Sequence, residues 1–348
     1  MPINSQAILP KEFHFAHEFS LFLLDSLAQL ITYGKKANAF EVQFEIRTED
    51  DGAALSTLQG EGIIEWLGQH GYGEVLGEML LKTIFPALLA DYCQFISEAL
   101  ICSERASLTV TYALLRKPLR ESLLYLEWLL ANPNEMLNTL HNQPASELAL
   151  NRLSSRERAV DIIQKAINRT LQPDIYNPDF LYDLRYNKSA DYGFEQLWNK
   201  ALHLVTTRHH LETEPRNLNF IFSDDSSRLS QWHHIYTRLP FLLFYTVDIC
   251  YVLMAFVLGD VHPSHAKNAF KKSMGLLLWH EEIQRLTPEE DDIDYDIKPL
   301  QGLALTCPSC TQKIAANERL VRSLYEREFM ICPNCRKKVT TSDLIAAS

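Results

Sequence analysis

Four of the chain's seven cysteines stand in two Cys-Pro-x-Cys pairs near its carboxyl end, Cys307-Pro-Ser-Cys310 and Cys332-Pro-Asn-Cys335, with 21 residues between them. No other feature restricts the fold as strongly. A tight C-x2-C turn offers two thiolates from one knuckle. A second knuckle, brought close by an intervening hairpin or helix, completes a tetrahedron of soft ligands. Proline after the first cysteine fixes φ and removes a backbone donor, which pre-shapes the turn. A redox dithiol of the thioredoxin type needs one such pair after a strand in a βαβ pattern, and that pattern is absent. Cys307, Cys310, Cys332 and Cys335 are therefore the expected ligands of one structural Zn2+. Four protein ligands leave no coordination position for a substrate, so catalysis by this ion is not expected.

With these knuckles, the segment from Leu303 to about Thr341 resembles a zinc ribbon. Ribbons often carry glycine directly after each knuckle; Thr311 and Arg336 occupy those places here. A unit spanning residues 303–348 can hardly build its own core, so the metal supplies much of its folding free energy. The run Arg336, Lys337, Lys338 admits two readings. It contacts phosphate, since ribbons can present a hairpin to nucleic acid, or it is a solvated edge that keeps a strand from aggregating. Either way the ribbon is expected to dock a partner, protein or nucleic acid.

Charge divides along the same boundary. Residues 303–348 hold 7 Lys and Arg against 4 Asp and Glu, while the other 302 residues hold 26 against 40. The acidic body repels phosphate backbones, which argues against coating of nucleic acid by the whole protein. Between the two parts, residues 281–302 carry eight acidic and two basic side chains. Like charges this dense favour a solvated, extended chain, so 281–302 is expected to be an acidic linker between a helical domain, 1–280, and the zinc ribbon.

The body is expected to be mainly α. Glycine is scarce, 12 in 348 residues, which suits long helices better than many tight turns. Helical periodicity begins at Phe13–Tyr33 and dominates from Gly73 onward. Pro86 and Pro118 predict kinks or breaks. Ser154 with Glu157 predicts a capping box, and Ser226 or Ser227 an N-cap. At most a small β element is expected near residues 40–47, where Phe40, Val42, Phe44 and Ile46 alternate with polar residues, and Leu218–Phe222 is a second candidate strand. The stretch Leu239 to Gly259 is nearly as long as the roughly 20 apolar residues that span a bilayer. Asp248 lies at its centre, where a charge costs about 2.5–3.5 kcal/mol on insertion scales. A central helix of a helical core accounts for it better than a membrane span. The amino terminus has no charged region followed by an apolar run, and three single cysteines do not make a disulfide framework. A cytoplasmic, reducing location is the expectation.

Three weaker constellations lie in the body. Arg228 and His233 have an R-x4-H spacing, and on a helix both are expected to lean toward one cleft. Together with the bundle of long helices, this pair loosely resembles the HEPN class of helical ribonucleases and toxins. The resemblance implies proton transfer by His233 and stabilisation of phosphate charge by Arg228, without a metal; the residue after the arginine, usually polar there, is Leu229. Arg116, Arg120 and Glu127 share a helical stripe and, if buried, require partners, with Asp248 one candidate for a common polar pocket. His14-x-x-His17 and His262-x-x-His265 have metal spacing without a matching carboxylate pattern. No P-loop, dinucleotide-binding glycine motif or serine-hydrolase elbow occurs, so no nucleotide cofactor is expected. The leading expectation is an intracellular zinc-binding protein whose ribbon docks a partner and whose helical body senses or scaffolds. The alternative is an RNA-cleaving effector of a bacterial defence or toxin system. The oligomeric state is not legible.

Overall fold

The computed structural model describes residues 8–207, 212–221, 223–258, 264–286, 295–298, 300 and 303–346. The body is helical, as its periodicity predicts. Helix α1 (His14–Lys36) places Phe15, Phe19, Leu23, Leu27 and Leu30 on one buried face. Helix α2 (Gly73–Glu104) continues past Pro86, where a kink or break is expected. Phe85 and Leu89, both fully buried, anchor the chain on either side of the proline, and this packing overrides the lost hydrogen bond. Pro118 behaves differently. It opens a π-helical turn, Pro118–Ser122, that joins α3 (Leu108–Lys117) to α4 (Leu123–Ala131). The wider turn takes up the proline without ending the helical path.

Further along are α5 (Arg156–Ile167), α6 (Pro178–Tyr186), α7 (Glu195–Leu202) and α8 (Asp225–Tyr236). The expected caps shift. Ser155, not Ser154, precedes α5, and no side-chain cap bond forms there. Asp224 rather than a serine caps α8, its carboxylate accepting from the Ser227 amide at 2.8 Å. A carboxylate at a helix start also meets the positive end of the helix dipole, which a hydroxyl does less well.

Helix α9 (Leu239–Leu258) is the axis of the body, with 15 of its 20 residues buried. It packs against α1, α2, α4 and the long α10 (Ser264–Leu286). Among the described residues two helical segments are long and apolar enough to cross a membrane, and the apolar window of the one containing α9 is 72% buried inside the fold. Burial on that scale is what a central core helix requires. Asp248, midway along α9, forms an ion pair with Lys272 of α10 and accepts a hydrogen bond from the Tyr176 hydroxyl.

Among the described residues neither candidate strand of the body forms. Residues 41–46 have no regular secondary structure, and Phe44 and Ile46 are partly exposed. Alternation alone does not make a strand without a neighbouring edge to pair with. Within the Leu218–Phe222 expectation, residues 219–221 form a turn in which Phe220 takes a left-handed φ of 63°, and Phe222 lies outside the described residues.

In the acidic segment 281–302, residues up to Leu286 complete α10, while Tyr295, Ile297 and Leu300 are buried in the core of the body. Charge density predicts solvation of the carboxylates; the interleaved apolar residues bury independently of it.

The C-terminal module follows: β1 (Ala304–Thr306), β2 (Lys313–Ala315), α11 (Glu318–Arg327), β3 (Phe329–Ile331), β4 (Lys338–Thr340) and α12 (Thr341–Ala346). It sits directly on the body. Tyr325 of α11 packs edge-on against Phe15, Phe19 and Phe22 of α1, with ring centroids 5.6, 6.4 and 6.0 Å away. Arg322 reaches Glu282 at 2.8 Å, and Lys267 reaches Glu328 at 2.6 Å. Gly275 makes the approach possible. A Cβ there would lie 2.4 Å from the Phe19 ring and 2.9 Å from the Tyr325 ring. Gly275→Ala is therefore expected to destabilise the protein by about 1–3 kcal/mol through overpacking. Urea unfolding followed through Tyr325-dependent near-UV dichroism measures this; an unchanged midpoint would refute it.

Candidate metal centre

The module is built from two matching hairpins. β1 pairs antiparallel with β2, Ala304 opposite Ala315 and Thr306 opposite Lys313. β3 pairs with β4, Phe329 opposite Thr340 and Ile331 opposite Lys338. A cysteine knuckle closes each hairpin with the same two backbone bonds. The Cys307 amide donates to the Gln312 carbonyl at 3.0 Å, and the Thr311 amide to the Cys307 carbonyl at 2.8 Å. In the second hairpin the Cys332 amide donates to the Lys337 carbonyl and the Arg336 amide to the Cys332 carbonyl, both at 3.0 Å. Helix α11 bridges the hairpins. Asn317 caps its start by accepting from the Leu320 amide at 3.0 Å, and Glu328 ends it in a left-handed conformation.

Thr311 and Arg336, the residues at the places where ribbons often have glycine, both have positive φ, 57° and 61°. The turn that returns the chain from each knuckle demands the left-handed region whatever residue occupies it. For a residue with a Cβ, and above all for β-branched Thr311, this costs about 1–2 kcal/mol. Thr311→Gly is accordingly expected to raise the stability of the metal-loaded module by about 1 kcal/mol. Its thermal midpoint checks this, and a fall would show that the threonine side chain, whose hydroxyl donates to the Cys310 carbonyl, outweighs the strain.

The folded hairpins bring the four sulfurs together. Cys307 Sγ lies 3.9 Å from Cys335 Sγ, and Cys310 Sγ 3.8 Å from Cys332 Sγ. All four lie within 4.8 Å of one another. Four thiolates at about 2.3 Å from a central zinc define a tetrahedron with edges of about 3.8 Å. The cross-hairpin distances match that edge, so the donor set fits Zn2+ in both chemistry and spacing. The first cysteine of each knuckle, Cys307 and Cys332, is fully buried, while Cys310 and Cys335 sit at the rim. Ile314, Leu324, Met330, Val339 and Leu344 pack beneath them.

Electrostatics point the same way. Backbone amides of Cys335 and Asn334 lower the Cys332 thiol to about 7. At Cys310 the Gln312 amide also favours the thiolate, but desolvation and hydrogen bonds to the three other sulfurs hold it up at about 12. Thiols packed this closely cannot all ionise by themselves. A divalent cation removes the mutual repulsion and lets all four deprotonate.

Arg336, Lys337 and Lys338 are exposed on the second hairpin, with Lys338 Nζ 4.2 Å above the Phe329 ring.

The body residues distribute otherwise. Arg228 is paired with Asp225, one turn away on α8, and its guanidinium donates to the Ser223 carbonyl at 3.3 Å. Side chains five positions apart on a helix point about 140° away from each other. On α8 this spacing puts Arg228 and His233 on different sides of the helix. The polar stripe also divides. Glu127 is fully buried and makes a bidentate pair with Arg185, at 2.7 and 3.0 Å. Arg120 pairs with Glu195 at 3.0 Å, and Arg116 lies 3.9 Å from Glu121. Asp248 belongs to Lys272 instead. Burial pushes the Glu127 carboxyl up while Arg185 opposes that rise, and the fork geometry identifies an ionised pair. Arg185, Glu195, Lys272 and Tyr176 are the partners that sequence reasoning missed. Glu127 within a leucine-rich helix signals that a base is needed but not which one.

His17 is buried between Tyr236 and Glu104, its ring nitrogens 2.8 and 2.7 Å from them, and His14 bonds the Leu9 carbonyl at 3.1 Å. Both are structural contacts. His262 and the side chain of His265 lie outside the described residues. Among the described residues the four cysteines are the one His, Cys, Asp and Glu group close enough to hold a metal. No known protein family, no curated protein and no solved structure matches the chain.

Proposed function

We propose that this is an intracellular protein in which zinc orders a C-terminal docking module carried on a helical scaffold. One observation carries the reading: four thiol sulfurs converge within 4.8 Å of one another, the two cross-hairpin pairs at the edge spacing of a zinc tetrahedron, and protein supplies all four. Such a closed site is structural, because no position remains for water or substrate. The ion's task is to hold two hairpins and α11 in one arrangement. The surface so ordered carries Arg336, Lys337 and Lys338 in the open, and the partner is a protein or nucleic acid segment of negative charge. The body contributes a rigid base, with Tyr325 seated among the aromatic rings of α1.

The test is metal analysis of the purified chain. One zinc per chain is expected, falling to well under half in Cys335→Ser. Replacing Arg336, Lys337 and Lys338 together by alanine is expected to leave zinc in place and to abolish salt-sensitive retention of the co-purifying partner. Absence of stoichiometric zinc would overturn the reading. The ribonuclease alternative has no observation in its favour.

A further inference from the structure

The four sulfurs of the cluster are not equivalent. Cys307 and Cys332, the first cysteine of each knuckle, are 0% exposed. Cys310 and Cys335, the second of each, are half-buried at the rim, where a small solute reaches them. Each rim sulfur has a buried sulfur of the other hairpin beside it. Cys310 Sγ lies 3.8 Å from Cys332 Sγ, and Cys335 Sγ 3.9 Å from Cys307 Sγ. An S–S bond is about 2.0 Å long, so each pair closes by less than about 2 Å of side-chain movement. The other three cysteines of the chain are placed differently. Cys250 is fully buried on α9, and burial pushes its thiol well up. Burial pushes Cys93 of α2 up to about 12. Cys102 is raised too, by burial and then by the charge of Glu98. A thiol that keeps its proton is a poor nucleophile, whereas cysteines that hold a metal are thiolates, the reactive form.

We propose that the cluster is a site of reversible oxidation, where a peroxide joins Cys310 to Cys332 and Cys335 to Cys307 across the hairpins and expels the ion. Each pair follows the same course. The rim thiolate attacks hydrogen peroxide. An S–O bond forms, the O–O bond breaks, and the departing hydroxide takes a proton from solvent to become water. The buried thiolate of the other hairpin then attacks the sulfenic acid. An S–S bond forms, the S–O bond breaks, and a second hydroxide leaves and is protonated. Two thiolates, two protons and one peroxide thus give one disulfide and two waters; the sulfurs lose two electrons and the peroxide gains them. A disulfide sulfur carries no charge and is a poor zinc ligand, so the first pair removes two of the four donors. The new bonds span the two hairpins that the ion spans, so oxidation releases the metal and leaves the module cross-linked. The release of zinc rests on the reading above; the pairing rests on the sulfur positions.

The test treats the purified full chain, freed of reductant, with hydrogen peroxide and then alkylates the remaining thiols. Trypsin cuts after Lys313 and Arg327 and so separates the knuckles. Mass spectrometry without reduction is expected to find the peptide of Cys307 and Cys310 joined to that of Cys332 and Cys335. Fragment ions between the two cysteines of each peptide assign Cys310 to Cys332 and Cys307 to Cys335. Zinc, followed with a metallochromic dye, is expected in solution as the first disulfide forms, and dithiothreitol with one equivalent of zinc is expected to restore the starting state. Cluster thiols are expected to be lost at least about tenfold faster than those of Cys93, Cys102 and Cys250. Disulfides confined within a knuckle, faster oxidation of the body cysteines, oxidation that dithiothreitol does not reverse, or cluster thiols that survive excess peroxide would each overturn the proposal. The zinc content of the untreated chain is measured first, which separates a failure of the zinc reading from a failure of the pairing.

Discussion

Stripping the metal from the purified chain is expected to unfold residues 303–346 while the helical body survives. The core of the module consists of Cys307, Ile314, Leu324, Met330, Cys332, Val339 and Leu344, and two of those seven are metal ligands. So little apolar area cannot offset the conformational entropy of ordering the segment. Zinc in comparable finger peptides contributes roughly 10–16 kcal/mol, so its loss exceeds any stability the module has alone. The consequence extends to the body. Once α11 loosens, Tyr325 leaves the aromatic surface of α1, and Phe15 and Phe22 meet water. Chelation is therefore expected to raise binding of a hydrophobic dye and to open the module to protease, with reversal on adding one equivalent of zinc. Acid acts in the same direction. Each ligand must be a thiolate to bind, so protons compete with the ion and affinity falls as pH is lowered. Unchanged amide protection in residues 303–346 after complete metal removal would show that the module folds without it.

Glu127→Ala is expected to be the most damaging single change in the body, costing about 3–5 kcal/mol. Arg185 is 0% exposed and its guanidinium has both forks on the Glu127 carboxylate. Removing the carboxylate strands a charge that cannot reach water and stays ionised, because an arginine does not give up its proton. That loss is a large part of the roughly 5–15 kcal/mol that holds a typical domain together. The double variant Glu127→Leu with Arg185→Met removes both charges and is expected to recover most of it, since an apolar replacement of a buried pair is often neutral. Urea unfolding of the three proteins measures the difference. A single-variant loss below about 1 kcal/mol would mean that water reaches Arg185. Asp248 and Lys272 form a second buried pair in the same core. Burial, and then the neighbouring Asp248 carboxylate, push the Tyr176 hydroxyl well above its ordinary range, so it stays protonated and donates to Asp248 throughout the physiological range.

The cysteine cluster is the part of this protein that was legible in advance. Its cysteines lie three positions apart in each knuckle, and the turn that joins them is a local object, shaped by proline and by the backbone bonds of six residues. The helical class of the body was equally legible, because a 3.6-residue apolar period is written into consecutive positions. Pro86 shows the limit of local signals: a breaker in isolation is carried within α2 because Phe85 and Leu89 pack firmly on either side. The two candidate strands failed for the opposite reason. A strand exists only with a partner, and alternation in one segment says nothing about whether an edge lies beside it.

What the sequence by itself determined, then, is whatever depends on residues close in the chain: the knuckles, the helices and the need of Glu127 and Asp248 for partners. The tertiary structure alone decided which partners those were, Arg185 across 58 residues and Lys272 across 24. It also decided that Tyr325 would lock the cysteine-bearing module to α1. A buried charge makes known that it requires an opposite one, but desolvation is indifferent to which residue supplies it, and only packing in three dimensions makes the choice.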